Sequence, residues 1–149
     1  MTADLRDLYQ EVIVDHGRRP RNFGPLPDAS HQAEGFNPLC GDRLNLRLKV
    51  VDGVIEEARF EGVGCAISTA SASLMTEALK GRGASEAEAL FAGFHAMLTG
   101  EPQVTPSSLG KLEVLAGVRE FPSRIKCATL AWHTLHAALH SESQPVTTE

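Results

Sequence analysis

The sequence predicts an α+β fold, and three observations carry the prediction. Leu44, Leu46, Leu48 and Val50 alternate with Asn45, Arg47 and Lys49, which is the period of a strand with one buried face. Asp52-Gly53 follows as a hairpin turn, and Val54 to Glu61 returns as the partner strand. Around this hairpin, apolar residues recur at helical spacing in several segments. At 149 residues the chain has the length of one ordinary domain, with no internal repeat, so residues 1–149 are read as a single unit.

In chain order, Leu5, Leu8, Tyr9, Val12, Ile13 and His16 mark an amphipathic helix over 4–16, ended by Gly17. Arg18-Arg19-Pro20-Arg21-Asn22 is a proline-broken loop and the densest positive charge in the chain, open to reading as a solvated loop or as a docking surface. Residues 31–37 are a weaker strand candidate, and Asn37-Pro38-Leu39-Cys40-Gly41-Asp42 is a turn by composition. After the hairpin, Gly62-Val63-Gly64-Cys65 leads into a helix over 67–80, for which a serine or threonine is the expected N-cap. Ser85 with Glu88 has the form of a capping box for a helix to Leu98. A shorter helix through Leu112, Leu115 and Val118 precedes the last one, over 124–140. Residues 141–149 are polar and read as a frayed tail.

Composition excludes several classes. A net charge of −5 argues against nucleic-acid binding. No stretch approaches the roughly 18–20 apolar residues that span a bilayer. The first residues lack the basic-then-apolar pattern of a signal peptide, so a cytoplasmic chain is expected. Three cysteines cannot form a paired disulfide framework and read better as thiols or metal ligands.

Those cysteines, Cys40, Cys65 and Cys127, stand beside turns or helix starts. Cys40 precedes the first strand of the hairpin and Cys65 follows the second, so antiparallel pairing brings both to one end of the sheet. Cys65 and Cys127 each fall near a helix start, where the thiolate form is favoured. Three thiols in separate parts of the chain suit a metal site closed by folding, with Asp42 as the candidate fourth ligand of a tetrahedral zinc set. Small buried hydrophobes are the competing reading of each cysteine alone, and a turn residue that of Asp42. His133, His136 and His140 share a helical face turned away from Cys127, opposite Trp132 and Leu135, and read as solvated cations near a helix end. His16 and His95 take the same reading.

Cys40-Gly41-Asp42, Gly64-Cys65-Ala66-Ile67-Ser68 and Arg124-Ile125-Lys126-Cys127-Ala128 resemble the U-type iron–sulfur cluster assembly proteins (IscU and NifU N-terminal-like). His16, Pro20, Arg21 and Asn22 match that family's opening. Lys126 stands where the Isc branch has a histidine, and the Cys65-to-Cys127 interval carries an extra loop around 93–108, which is similar to the SufU branch. The resemblance implies a small three-stranded antiparallel sheet with a layer of helices. It implies zinc held by Cys40, Asp42, Cys65 and Cys127, and sulfur transfer from a SufS-like cysteine desulfurase with Cys40 as acceptor. It also implies a downstream SufBCD-like assembly complex, and leaves open a scaffold assembling a transient [2Fe–2S] cluster on the same ligands. Such a protein is a carrier more than an enzyme. A zinc hydrolase, which needs an open metal position and a general base, and a purely structural zinc module are the readings from other classes.

Overall fold

The computed structural model describes residues 5–38, 41–99, 112, 115, 122–140 and 146–147. The elements run α1 (Leu5–Arg18), β1 (His31–Asn37), β2 (Asp42–Val51), β3 (Val54–Val63), α2 (Ala66–Leu79), α3 (Ala84–Thr99), α4 (Pro122–Leu139) and β4 (Val146–Thr147). The sheet order is β3-β2-β1-β4. The expected three-stranded antiparallel sheet is present, and Val146–Thr147 add a short strand parallel to Gly35 and Phe36 of β1, within the segment read from sequence as frayed. The expected helix around Leu112 and Leu115 lies mostly outside the described residues; both leucines are buried.

Period-2 alternation decides which side chains meet the helices. On β2 the inward set is Asp42, Leu44, Leu46 and Leu48, and on β1 it is Ala33, Gly35 and Asn37. Two polar residues thus share the core face with leucines, both at the same end of the sheet. At the other end, Asp52 and Gly53 both take positive φ (52° and 76°), the geometry of a type I′ hairpin turn.

Helix α2 is buried on most of its surface and packs against α1, α4 and β3. Helix α4 covers β1 and β2. Gly35 permits that approach, because a Cβ there would strike Thr134 Oγ1 and come within 3.1 Å of Leu130 Cδ1. Ser71 Oγ donates to the Ala128 carbonyl at 2.6 Å and accepts from Trp132 Nε1 at 3.3 Å, tying α2 to α4 inside the core. Trp132 and Leu135 are buried, as the helical phase requires.

Two helix boundaries differ from the sequence reading. Gly17 does not end α1, which runs through Arg18; the glycine instead lets the last turn close on Ala66, whose Cβ would lie 3.3 Å from a Cβ at position 17. Helix α3 is not capped by Ser85 with Glu88. Its Glu86 sits in the first turn and accepts from the Gly83 N–H at 3.2 Å, the back half of a capping box. That leaves the Glu88 side chain for another role.

Candidate metal centre

Asp42 is the first residue of β2 and pairs across the ladder with Asn37. It is 1% exposed. A buried carboxylate is costly unless hydrogen-bonded. Here Oδ1 accepts the Cys65 N–H at 2.9 Å, and Asn37 Nδ2 donates toward Oδ2 at 3.5 Å. Asp42 is therefore more than a turn residue: it joins the end of the sheet to the start of α2.

Cys65 is itself the N-cap of α2, in place of the serine or threonine expected there. Its backbone is extended (φ −72°, ψ 168°), and its Sγ accepts the Ser68 N–H at 3.4 Å. Ser68 answers through its hydroxyl, which donates to the Cys65 carbonyl at 3.2 Å. The sulfur thus stands at the N-terminal end of a 14-residue helix, half-buried. Gly64 is required by space, since a Cβ would run into Ser68 Oγ and lie 2.7 Å from Asp42 Oδ1.

Cys127 differs from its expected place. Helix α4 begins at Pro122, so Cys127 stands in the second turn, beyond the range over which a helix end acts strongly. It is 3% exposed, and Asn37 Nδ2 approaches its Sγ at 3.6 Å. What delivers it to the site is the packing of α4 on β1.

One oxygen of Asp42 and the sulfurs of Cys65 and Cys127 lie within 4.8 Å of one another. A soft, thiolate-rich set with one carboxylate fits zinc or a comparable thiophilic ion. Cys40, the remaining predicted ligand, lies outside the described residues. Asn37 was not singled out from sequence, yet it is fully buried and its amide faces both Asp42 and Cys127. Its signal was phase: it continues the inward series Ala33, Gly35.

The histidines correct the sequence reading further. His16 is not solvated: it is 2% exposed, and its Nδ1 lies 2.7 Å from Ser73 Oγ on α2. The same hydroxyl accepts the Arg21 N–H at 2.8 Å. Arg21 also holds Asp15 at 2.6 Å, so of the three loop arginines it is engaged in the fold, while Arg18 and Arg19 are exposed. Because Gly17 abuts Ala66, the end of α1 lies against the start of α2. On α4, burial, with His95 and His136 as like-charged neighbours, holds His133 below the ordinary histidine range. His136 and His140 pair with Glu88 rather than standing alone in solvent.

Known proteins resemble this chain in sequence and in fold. The family model for the NifU-like N terminal domain matches residues 8–128. The chain is 45% identical over 140 residues to the zinc-dependent sulfurtransferase SufU of Bacillus subtilis (strain 168), covering 94% of this chain and 95% of that protein. It is 44% identical over 137 residues to the iron–sulfur cluster assembly scaffold protein IscU of Streptococcus pyogenes serotype M1, covering 92% and 86% respectively. Among solved structures, a candidate iron–sulfur cluster assembly scaffold protein for the SUF system from Fervidobacterium islandicum AW-1 superposes with a TM-score of 0.84 at 33% identity, over 90% of this chain and 98% of that one.

Proposed function

Since the chain belongs to the NifU-like N-terminal domain family, we propose that it is a zinc-holding sulfur acceptor in iron–sulfur cluster biosynthesis, serving a cysteine desulfurase. The observation that carries this reading is the convergence of Asp42, Cys65 and Cys127 within 4.8 Å at one end of the sheet. Cys40 is the fourth ligand in this reading: two residues along the chain from Asp42, it is kept by covalent geometry to a Cα separation of at most roughly 7 Å. The likeness to a protein named as a zinc-dependent sulfurtransferase supports the choice of metal and of chemistry.

Bound zinc would keep the thiols deprotonated and protected from oxidation. The chain's own groups do the rest. Asp42 is held by the Cys65 N–H, and Asn37 faces both Asp42 and Cys127, so these three positions are preset. Cys40 is the acceptor. Its thiolate attacks the outer sulfur of the desulfurase persulfide; the new S–S bond forms as the old one breaks, and the desulfurase cysteine leaves as thiolate. No external oxidant or reductant is needed. Arg18 and Arg19, exposed at the end of α1, supply a local positive patch for an acidic partner surface.

A second reading, a scaffold that builds a transient [2Fe–2S] cluster as cargo on the same ligands, is favoured by the likeness to IscU. One experiment separates the two. Under anaerobic conditions the purified chain is mixed with a cysteine desulfurase and cysteine, in parallel without and with Fe²⁺ and a thiol reductant, and metal and bound persulfide are measured before and after. Sulfur on Cys40 with zinc retained supports the acceptor; iron uptake with cluster absorption supports the scaffold; neither result would sink both.

A further inference from the structure

Away from the cysteines, α3 and α4 meet along a seam of imidazoles. Glu88 and His95 lie on α3, His133 and His136 on α4, and His140 directly after its last residue, its N–H still bonded to the His136 carbonyl at 3.1 Å, so the three follow at spacings of three and four. Phe91 packs among them, with ring centroids 5.3 Å from His133 and 5.9 Å from His136. At one end of the seam a single carboxylate faces two imidazoles. His136 Nδ1 is 3.1 Å from Glu88 Oε2, and His140 Nε2 is 3.5 Å from Glu88 Oε1. One ligand atom from each of the three residues lies within 4.8 Å of the others.

We propose that Glu88, His136 and His140 hold a divalent first-row transition cation, at a site separate from the one built on the cysteines. Two independent observations support it. First, ligands each about 2.1 Å from one ion stand about 3.0–3.4 Å apart at octahedral or tetrahedral angles, and the two imidazole–carboxylate separations, 3.1 Å to Oε2 and 3.5 Å to Oε1, are close to that range. Second, Glu88 Oε1 is shielded from solvent and accepts no hydrogen bond among the described residues, although His140 Nε2 is near. A carboxylate oxygen left in that state has an unmet demand for positive charge. A hydrogen bond from His136 meets the demand of Oε2 alone. A cation between the three groups meets both.

The donor set selects the ion. Two imidazoles and a carboxylate, with no thiolate, suit Ni²⁺, Co²⁺, Zn²⁺ or Fe²⁺ and disfavour the soft ions that thiolates attract. The two histidines at i and i+4 form a chelating pair on one helix, and Glu88 closes it from the neighbouring helix. All three side chains are partly exposed (34%, 44% and 53% for Glu88, His136 and His140), so an ion can enter directly and keep water in its remaining positions.

The test uses the full chain carrying one equivalent of zinc, with its zinc content measured beforehand as a separate report on the cysteine site. Ni²⁺ alone is then added, followed by calorimetry, zinc release and the histidine ring signals in NMR. One further ion per chain is expected to bind, with the His136 and His140 signals affected first and no zinc released. Glu88→Gln and His140→Gln should each weaken that binding by roughly tenfold or more. His140 lies at the exposed end of α4, so its replacement leaves the core intact. Ni²⁺ should also raise the unfolding midpoint of the parent chain but not of the doubly substituted one. Failure to bind an additional ion, binding of equal strength in both variants, or zinc displaced in place of added binding would each overturn the proposal.

Discussion

Among the described residues, two clusters bring three ligating side chains within 4.8 Å, and they are built in opposite ways. Asp42, Cys65 and Cys127 come from a strand start, a helix cap and a second helical turn; Asp42 and Cys127 are buried and Cys65 is half-buried. Backbone N–H groups hold two of them, through Cys65 N–H to Asp42 and Ser68 N–H to Cys65. Glu88, His136 and His140 come from the second turn of α3 and the C-terminal end of α4 and are half in water, with no comparable backbone support among the described residues. The first cluster is fixed by the fold before any ligand arrives. The second is fixed mainly by helical periodicity, and its side chains keep freedom to move.

The sharpest way to break this contrast is Cys127→Ser. The chain should lose its stoichiometric zinc and its capacity for persulfide, whereas His140→Gln should leave both unchanged; metal analysis after dialysis and a sulfur-transfer assay would show it. Equal loss in the two variants would mean that the clusters are one functional unit.

Asp42→Ala comes next. It leaves the Cys65 N–H without its acceptor in a part-buried place, at a cost of about 1–3 kcal/mol. Asp42→Asn keeps an acceptor oxygen and should recover most of that loss in urea unfolding of metal-free protein, without recovering metal affinity. If alanine and asparagine unfold alike, the carboxylate's bond to α2 contributes little to the fold.

Reversing Arg18 and Arg19 to glutamate should slow sulfur transfer severalfold at low salt and much less at high salt, with zinc content unchanged. An unaltered rate at all salt concentrations would remove this patch as the partner-facing surface. Arg21→Glu, by contrast, breaks the Asp15 pair and should also lower the unfolding midpoint.

The smallest expected effect concerns the seam. His133 is held below the ordinary histidine value by burial, then by His95 and His136. In the unfolded chain it takes up a proton below about pH 6.5, while the folded chain resists until lower pH. Stability in chelator-treated protein should therefore fall as pH drops below that value, and His133→Phe should flatten part of the slope. An unchanged slope would show that the folded His133 titrates as the unfolded one does.

The pattern of residues was enough for the hairpin, the α+β class and the suggestion that three cysteines with Asp42 form one set. Alternation and the Asp52-Gly53 turn are local signals, and local signals survive without a structure. The same alternation, followed to the last residue of β1, would also have found Asn37, whose phase matches Ala33 and Gly35. Other features were not legible, because they depend on which surfaces meet. Solvated histidine was a fair reading of His16 until α1 closed on α2 through Gly17, burying the ring against Ser73. Glu88 read as a helix cap until α3 began two residues earlier, capped itself through Glu86, and turned Glu88 toward α4. Cys127 was expected at a helix end for its dipole; it reaches the site because Gly35 lets α4 lie directly on β1. Sequence periodicity determines what each element presents on its own faces. Only close packing between elements, set by two glycines and the interlocking of Ser71 with Ala128, decides which of those faces become a site.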